Sequence, residues 1–217
     1  MIVVANVSKS YATRAGPRLI LDQVNLTAKR GEKIGILGRN GSGKSTMIRM
    51  ISGAEFPDKG RVTRTMTTSW PLAFSGAFQP ALTGIDNLRF ICRVYGVSVE
   101  DKVDQVDHFA ELGRYLREPL RSYSAGMRAR LAFALSMAIE FDCFLIDEII
   151  AVGDARFHQK CHEELFEKRA DRSMIIVSHD ASYVREHCDR AAVLSQGRIH
   201  HFDAVDEAYE FYMASAS

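Results

Sequence analysis

Short β-like runs alternate along the chain with stretches in which apolar residues recur every three or four positions. The runs are Ile2–Val7, Lys33–Leu37, Cys143–Ile146, Met174–Val177, Ala191–Leu194 and Arg198–Phe202. Strands interleaved with helical patterns predict an α/β fold, a largely parallel sheet flanked by helices. Gly38 to Gly43 connects the second run to a helix that starts near Lys44 and ends at Gly53, a residue suited to a helix C-cap. From 84 to 140 the pattern is helical throughout. Thr83-Gly84-Ile85-Asp86 and Ser98-Val99-Glu100-Asp101 mark two helix starts, each a hydroxyl followed three positions later by an acid. A third helix runs from about Ala125 to Glu140, with Met127, Leu131, Leu135 and Ala138 as an apolar stripe and Arg128 and Arg130 off it. Ala204 to Tyr212 predicts a short amphipathic helix. The reading is one domain, 1–217: a sheet core with an all-helical insert lobe at about 84–140.

At 217 residues and 47% hydrophobic content the chain can build one well-buried core. Its 28 basic and 27 acidic residues nearly cancel, and neither terminus is a basic tail, so charge gives no case for nucleic acid. Cys92, Cys143, Cys161 and Cys188 form no C-x-x-C pair and read as buried or free thiols of a reducing compartment. Met1 to Val7 lacks the basic flank of a signal peptide. The longest nearly apolar run, Leu131 to Ile139, is far short of the ~20 residues that span a bilayer. Any membrane role is therefore expected to be peripheral, through a partner.

The chemistry-bearing residues fall into four groups. Gly38-Arg39-Asn40-Gly41-Ser42-Gly43-Lys44-Ser45-Thr46 fits G-x-x-x-x-G-K-[ST], a phosphate-binding loop between a strand and a helix. Its glycines let backbone N–H groups turn toward phosphate oxygens, and the helix N-terminus adds partial positive charge. Lys44 suits the β- and γ-phosphates of a nucleoside triphosphate, and the Ser45 hydroxyl suits Mg²⁺. Asp147-Glu148 closes the run Phe144-Leu145-Ile146, where an aspartate in phosphate-loop enzymes holds Mg²⁺ directly or through water. Tyr123-Ser124-Ala125-Gly126-Met127 stands between them at a helix start, and a lone Ser178-His179 follows the run Met174–Val177.

In this order the four groups resemble the ATP-binding cassette ATPases. The resemblance implies ATP and Mg²⁺ as ligands and a homodimer, in which Ser124 and Gly126 of one copy close over ATP held by the other. The signature departs from the common Leu-Ser-Gly-Gly-Gln, with Tyr123, Ala125 and Met127 replacing Leu, Gly and Gln, while Ser124 and Gly126 survive. By the same resemblance Glu148 is the general base, and Gln79 senses Mg²⁺ and the attacking water and hinges the helical lobe. His179 contacts the γ-phosphate, and Asp154 belongs to the loop that crosses the dimer interface. Tyr11 is the aromatic on which adenine stacks. The implied metal set is Ser45, Gln79 and Asp147.

Tyr123 to Phe133, Asp147 to Phe157 and Ser69-Trp70-Pro71-Leu72 are similar in finer detail to the ATP-binding subunits of bacterial capsular polysaccharide exporters. These are relatives of O-antigen and teichoic-acid exporters, and O-antigen types often add a carbohydrate-binding domain after the cassette. This sequence stops at Ser217, which favours the capsule type. The likeness implies a homodimer under two copies of an integral-membrane permease at the cytoplasmic face of the bacterial inner membrane. Periplasmic and outer-membrane export proteins are indirect partners, and the polysaccharide is met through the permease. The permease contact is expected around Trp70 to Ala81 and Ile85 to Tyr95, with Phe74, Phe78, Leu88, Phe90 and Ile91 divided between contact and core. The alternatives are an O-antigen or teichoic-acid exporter subunit, a soluble cassette ATPase acting on ribosomes or DNA, and an unrelated phosphate-loop kinase or GTPase. The last leaves the signature and His179 unexplained.

Overall fold

The computed structural model describes residues 1–72, 78–147 and 154–216. The chain divides into two units, one of Met1–Pro71, Phe141–Ile149 and Asp171–Ser217, the other of Leu72–Glu140 and Ile150–Ala170. Among the described residues no helix is long and apolar enough to cross a membrane.

The first unit is built on two sheets. β1 (Ile2–Thr13) pairs antiparallel with β2 (Gly16–Ala28) on one side and with a charged strand, Lys59–Arg64, on the other. With β3 (Lys33–Leu37) and that strand as β4, the second sheet adds β5 (Thr68–Pro71), β6 (Cys143–Asp147), β7 (Ser173–Ser178), β8 (Arg190–Ser195) and β9 (Arg198–Phe202). Its order is β5-β6-β7-β3-β8-β9, parallel except for the β8–β9 hairpin.

The apolar runs mark β1 and, in the second sheet, β3, β6, β7, β8 and β9. β2, β4 and β5 were not predicted, and β1 is twice the expected length. The antiparallel sheet hides from a hydrophobic scan for a physical reason. Asn6 and Gln23 take left-handed φ, and the β1–β2 register shifts along its length, so the two-residue alternation is interrupted. β4 offers only Val62 as an aliphatic residue among charges, as edge strands commonly do.

α1 (Lys44–Ser52) lies between the two sheets. Its Met47, Ile48, Met50 and Ile51 pack into one core with Ile2, Val4, Leu21, Val24, Ile34, Ile36, Leu145 and Ile175. The opposite sheet face is covered by α6 (Ala181–His187) and α7 (Val205–Ala216), through Leu37, Val184, Val193 and Ala208. Coverage on both faces is what a parallel sheet requires. At Gly35 a Cβ would lie 2.1 Å from Val184 Cγ1, so the glycine sets how closely α6 approaches β3.

The second unit is helical: α2 (Gly84–Tyr95), α3 (Glu100–Ala110), α4 (Ala125–Ala138) and α5 (Ala155–His162), the last continuing as a π-turn over Glu163–Glu167. Thr83 caps α2 as expected: its Oγ1 accepts from Asp86 N at 3.0 Å and donates to Asp86 Oδ2 at 2.6 Å. Ser98 does not cap α3. The N-cap there is Val99, without a side-chain hydrogen bond, and Ser98 Oγ donates to Glu100 Oε2 instead. α4 also departs from its predicted one-sided stripe, since every residue from Leu131 to Ala138 is buried. A helix enclosed on all sides needs no polar face, and Phe133 is stacked on Phe109 at 5.5 Å. In the apolar series, Phe78, Leu88 and Ile91 are buried and Phe90 is 60% exposed, beside exposed Val94 and Tyr95. Phe74 lies outside the described residues.

The cysteines match their reading as free thiols. Cys92, Cys143 and Cys161 are buried and Cys188 half-buried. Burial pushes the Cys143, Cys161 and Cys188 thiols up to about 12.

The close α6–β3 contact gives a direct expectation. Gly35→Ala should cost about 1–3 kcal/mol, because the methyl must displace Val184 from a packed layer. Urea unfolding measures it, and an unchanged midpoint would show that α6 lifts without cost.

Candidate nucleotide site

The parallel register decides which residues meet in the first unit. Leu37 is opposite Ser178 and Asp147 is opposite Val177, so β3, β6 and β7 end at one edge of the sheet. The loop after β3, the carboxylate ending β6 and His179 after β7 therefore leave from the same edge, where open α/β sheets bind ligands.

The loop 38–43 is shaped by local sterics. A Cβ at Gly38 would approach Leu194 O to 2.7 Å and Ser42 Oγ to 2.6 Å, which only glycine avoids. Gly43, at φ 109°, is the N-cap of α1 and brings no side chain to cap it. The first N–H groups of α1 thus face the loop, an arrangement suited to a phosphate. Lys44 is buried, and its Nζ donates to Gly38 O at 2.6 Å and Arg39 O at 3.1 Å, drawing the ammonium into the curl of the loop. Arg39, Asn40 and Gly41 are exposed on the rim, and Thr46 is buried in the first turn of α1. A cleft of about 360 Å³ is lined by Arg18, Ile20, Asn40, Gly41, Gly43, Lys44, Ser45 and Thr46.

Ser45 Oγ lies 3.4 Å from Asp147 Oδ1. A hydroxyl and a carboxylate at the mouth of the phosphate loop are hard oxygen donors of the kind Mg²⁺ takes, so the residues present fit that ion. His179 is exposed at the sheet edge. Tyr11 stands on β1 opposite Arg18 of the cleft lining. Glu148 lies outside the described residues, as does the run 151–153 that leads to Asp154.

The second unit holds Gln79, Ser124, Gly126 and Asp154. The Gln79 side chain is exposed, and its backbone is held by Asn87, whose Oδ1 accepts from Gln79 N at 3.0 Å. Asn87 Nδ2 donates to Gln79 O at 3.3 Å and to Thr83 O at 2.9 Å. After Gln79 the chain runs against the segment that enters α4. Arg121 N donates to Pro80 O, Leu120 N donates to Leu82 O, and Thr83 bridges Pro119.

Tyr123, which replaces the usual leucine, is buried and donates its hydroxyl to Tyr115 O; burial pushes its phenol up to about 12. Ser124 is the N-cap of α4 and accepts from Met127 N at 3.2 Å. Ser124, Ala125 and Gly126 are all exposed, leaving the N-terminus of α4 open. Asp154 caps α5, with Oδ1 accepting from Phe157 N at 2.9 Å, and its Oδ2 pairs with Arg130 of α4 at 3.2 Å. Arg130 also lies 3.6 Å from Glu111 and over the Phe157 ring. In the sequence Arg130 stands off the apolar stripe of α4, within the stretch Tyr123 to Phe133; its pairing with residues 24 and 19 positions away has no local sequence signal.

A phosphate loop, a carboxylate at the edge beside it and an exposed capped helix carrying Ser-x-Gly define a nucleotide-binding cassette. The chain matches the ABC transporter family over residues 21–151 and belongs to it. It is 59% identical to the capsule polysaccharide export ATP-binding protein CtrD of Neisseria meningitidis serogroup B, over 98% of both chains. It is 58% identical to the ATP-binding protein BexA of Haemophilus influenzae, again over 98% of both. The polysialic acid transport ATP-binding protein KpsT of Escherichia coli is 43% identical over 98% of each chain. In fold it is similar to an ATP-binding cassette solved as a dimer in a post-hydrolysis state with ADP and Pi. The TM-score is 0.79 at 23% identity, covering 93% of this chain and 97% of that one.

Asn87→Asp keeps the acceptor for Gln79 N–H and removes both donated hydrogen bonds. It is expected to lower stability by about 1–3 kcal/mol, because Gln79 O and Thr83 O lose their donor. A wild-type urea-unfolding midpoint would show the amide donors to be dispensable.

Proposed function

We propose that this chain is the ATP-hydrolysing subunit of an exporter that moves capsular polysaccharide across the bacterial inner membrane. The observation that carries the reading is identity of 58–59%, over 98% of both chains, to two proteins, of which CtrD is named for capsule polysaccharide export. Identity falls to 34–36% for relatives named for O-antigen and teichoic-acid export, which are longer than the matched region.

The chemistry assigned to this chain is phosphoryl transfer to water. Lys44 and the N–H groups at the start of α1 hold the phosphates, and Ser45 and Asp147 would hold Mg²⁺. When bound, Mg²⁺ neutralises charge on the β- and γ-phosphate oxygens. Glu148 accepts a proton from the water that attacks the γ-phosphorus, and the bond to the β–γ bridging oxygen breaks, leaving ADP and phosphate. Gln79 orients that water and joins the metal set, and His179 donates to the γ-phosphate. Tyr11 stacks on the base. Ser124 and Gly126 come from a second copy, where an open helix N-terminus supplies donors to the γ-phosphate and excludes water. Asp154 lies in the segment facing that second copy. Two such sites couple ATP binding to closure of the homodimer and hydrolysis to its opening.

The dimer works against a pair of integral-membrane permease subunits on the cytoplasmic face, and the permease passes the polymer to periplasmic and outer-membrane proteins. Phe90, Val94 and Tyr95 give α2 an exposed apolar surface suited to that contact. Arg89, paired with Asp86 at 3.1 Å, and Arg93 flank it.

Two experiments test the reading. With Glu148→Gln as the only copy in cells, ATP turnover should fall by about 10²–10⁴, with polysaccharide accumulating inside and a bare surface. Normal surface polysaccharide would remove the capsule assignment. Arg89→Glu should weaken co-purification with the permease, and undiminished recovery would move the contact away from α2.

A further inference from the structure

Tyr11 is held by a network that stacking alone does not require. Its hydroxyl donates to Glu55, 2.6 Å from Oε1 and 2.8 Å from Oε2, and accepts from Arg49 Nη2 at 3.1 Å. Arg49 Nε donates to Glu55 Oε2 at 3.0 Å, and Lys9 Nζ lies 3.2 Å from Glu55 Oε1 and 5.6 Å from the Tyr11 ring centroid. Two carboxylate oxygens thus meet a phenol, a guanidinium and an ammonium. The Glu55 side chain is only 19% exposed. Burial works against its charge, but the hydrogen bonds from Tyr11, Arg49 and Lys9 hold its carboxyl below the usual carboxylate range.

The network reaches the phosphate loop. Arg49 Nη2 also donates to Thr46 Oγ1 at 3.2 Å, and Thr46 lines the cleft. Arg18, which also lines the cleft, is the cross-strand partner of Tyr11. Glu55 is itself fixed past the end of α1, where its N–H donates to Arg49 O at 3.2 Å. One helix therefore carries the phosphate-binding turn at its start and the anchor of the aromatic ring near its end.

We propose that Glu55 and Arg49 are positioning residues for a purine nucleotide: by gripping the Tyr11 hydroxyl they hold its ring in the attitude that receives the base. The inference rests on the reading of Tyr11 as the base platform. A phenylalanine could stack as well as a tyrosine, so the hydroxyl serves orientation. A ring fixed before binding loses less freedom when the base arrives, which favours affinity without touching the phosphates.

The test separates base from phosphate by titrating the purified full chain with ATP and with inorganic tripolyphosphate. Glu55→Gln and Tyr11→Phe should each raise the Kd and KM for ATP about three- to tenfold. In Glu55→Gln, kcat at saturation should stay near wild type, and in neither variant should tripolyphosphate binding change. The double variant should match either single one, since both break the same contact. ATP binding at the wild-type level in Tyr11→Phe and Glu55→Gln, with weak binding in Tyr11→Ala, would overturn the positioning role and leave the platform standing. Unchanged binding in Tyr11→Ala would overturn both. An equal loss of tripolyphosphate affinity in Glu55→Gln would assign Glu55 to the integrity of α1 and overturn the proposal. Tyr11→Phe, which alters one oxygen on a half-buried ring, keeps the test readable should Glu55→Gln fold poorly.

Discussion

The chemistry of the first unit depends on β3 lying between β7 and β8 in parallel register. Because Leu37 faces Ser178 across that pairing and β6 follows one strand further, the phosphate loop, Asp147 and His179 issue from one edge. A slip of one residue would turn every core side chain of β3 to the wrong layer. Ile34 and Ile36 belong to the core around α1, and Leu37 to that beneath α6 and α7. The buried layers and the phosphate site are therefore specified by the same pairing, and neither can be altered alone.

The helical unit solves a different problem, that of keeping polar groups presented yet fixed. Ser124 and Asp154 each cap a helix with the side chain that the family resemblance marks as functional. Capping fixes a rotamer by satisfying an N–H that the helix would otherwise leave open. Arg130, within α4, ties the start of α5 at Asp154 to the end of α3 at Glu111. At Gln79 the backbone is fixed instead: Asn87 holds its N–H and its C=O, and the side chain is left exposed. Exposed ion pairs such as Arg130–Asp154 contribute little to stability, so their interest lies in geometry.

Much of this was legible in the sequence where burial is complete. The inner strands β3, β6, β7 and β8 are enclosed on both faces, and apolar runs such as Cys143–Ile146 and Met174–Val177 declare them directly. β2 and β4 are half in water and bulged, so polar residues fall where a scan looks for alternation. α4 misled in the opposite direction: its alanines count weakly as apolar, yet 131–138 is enclosed all round. The phosphate loop and Asp147 were readable because their chemistry demands particular residues in consecutive order. Glu55 and Arg49 were not, since they reach Tyr11 from 44 and 38 positions away. A hydrogen bond between such positions exists only once two sheets and a helix have packed.

The four thiols have a consequence for studying the molecule. Three are buried, the fourth is half-buried, and for Cys143, Cys161 and Cys188 the thiolate is suppressed near neutral pH by burial. Thiol reagents act on exposed thiolates. The native chain therefore presents a nearly silent background to maleimide and disulfide chemistry, and one cysteine introduced on an exposed helix face can carry a dye or spin label. Such a label reports on its surroundings with the natural cysteines, and the packing they support, left in place.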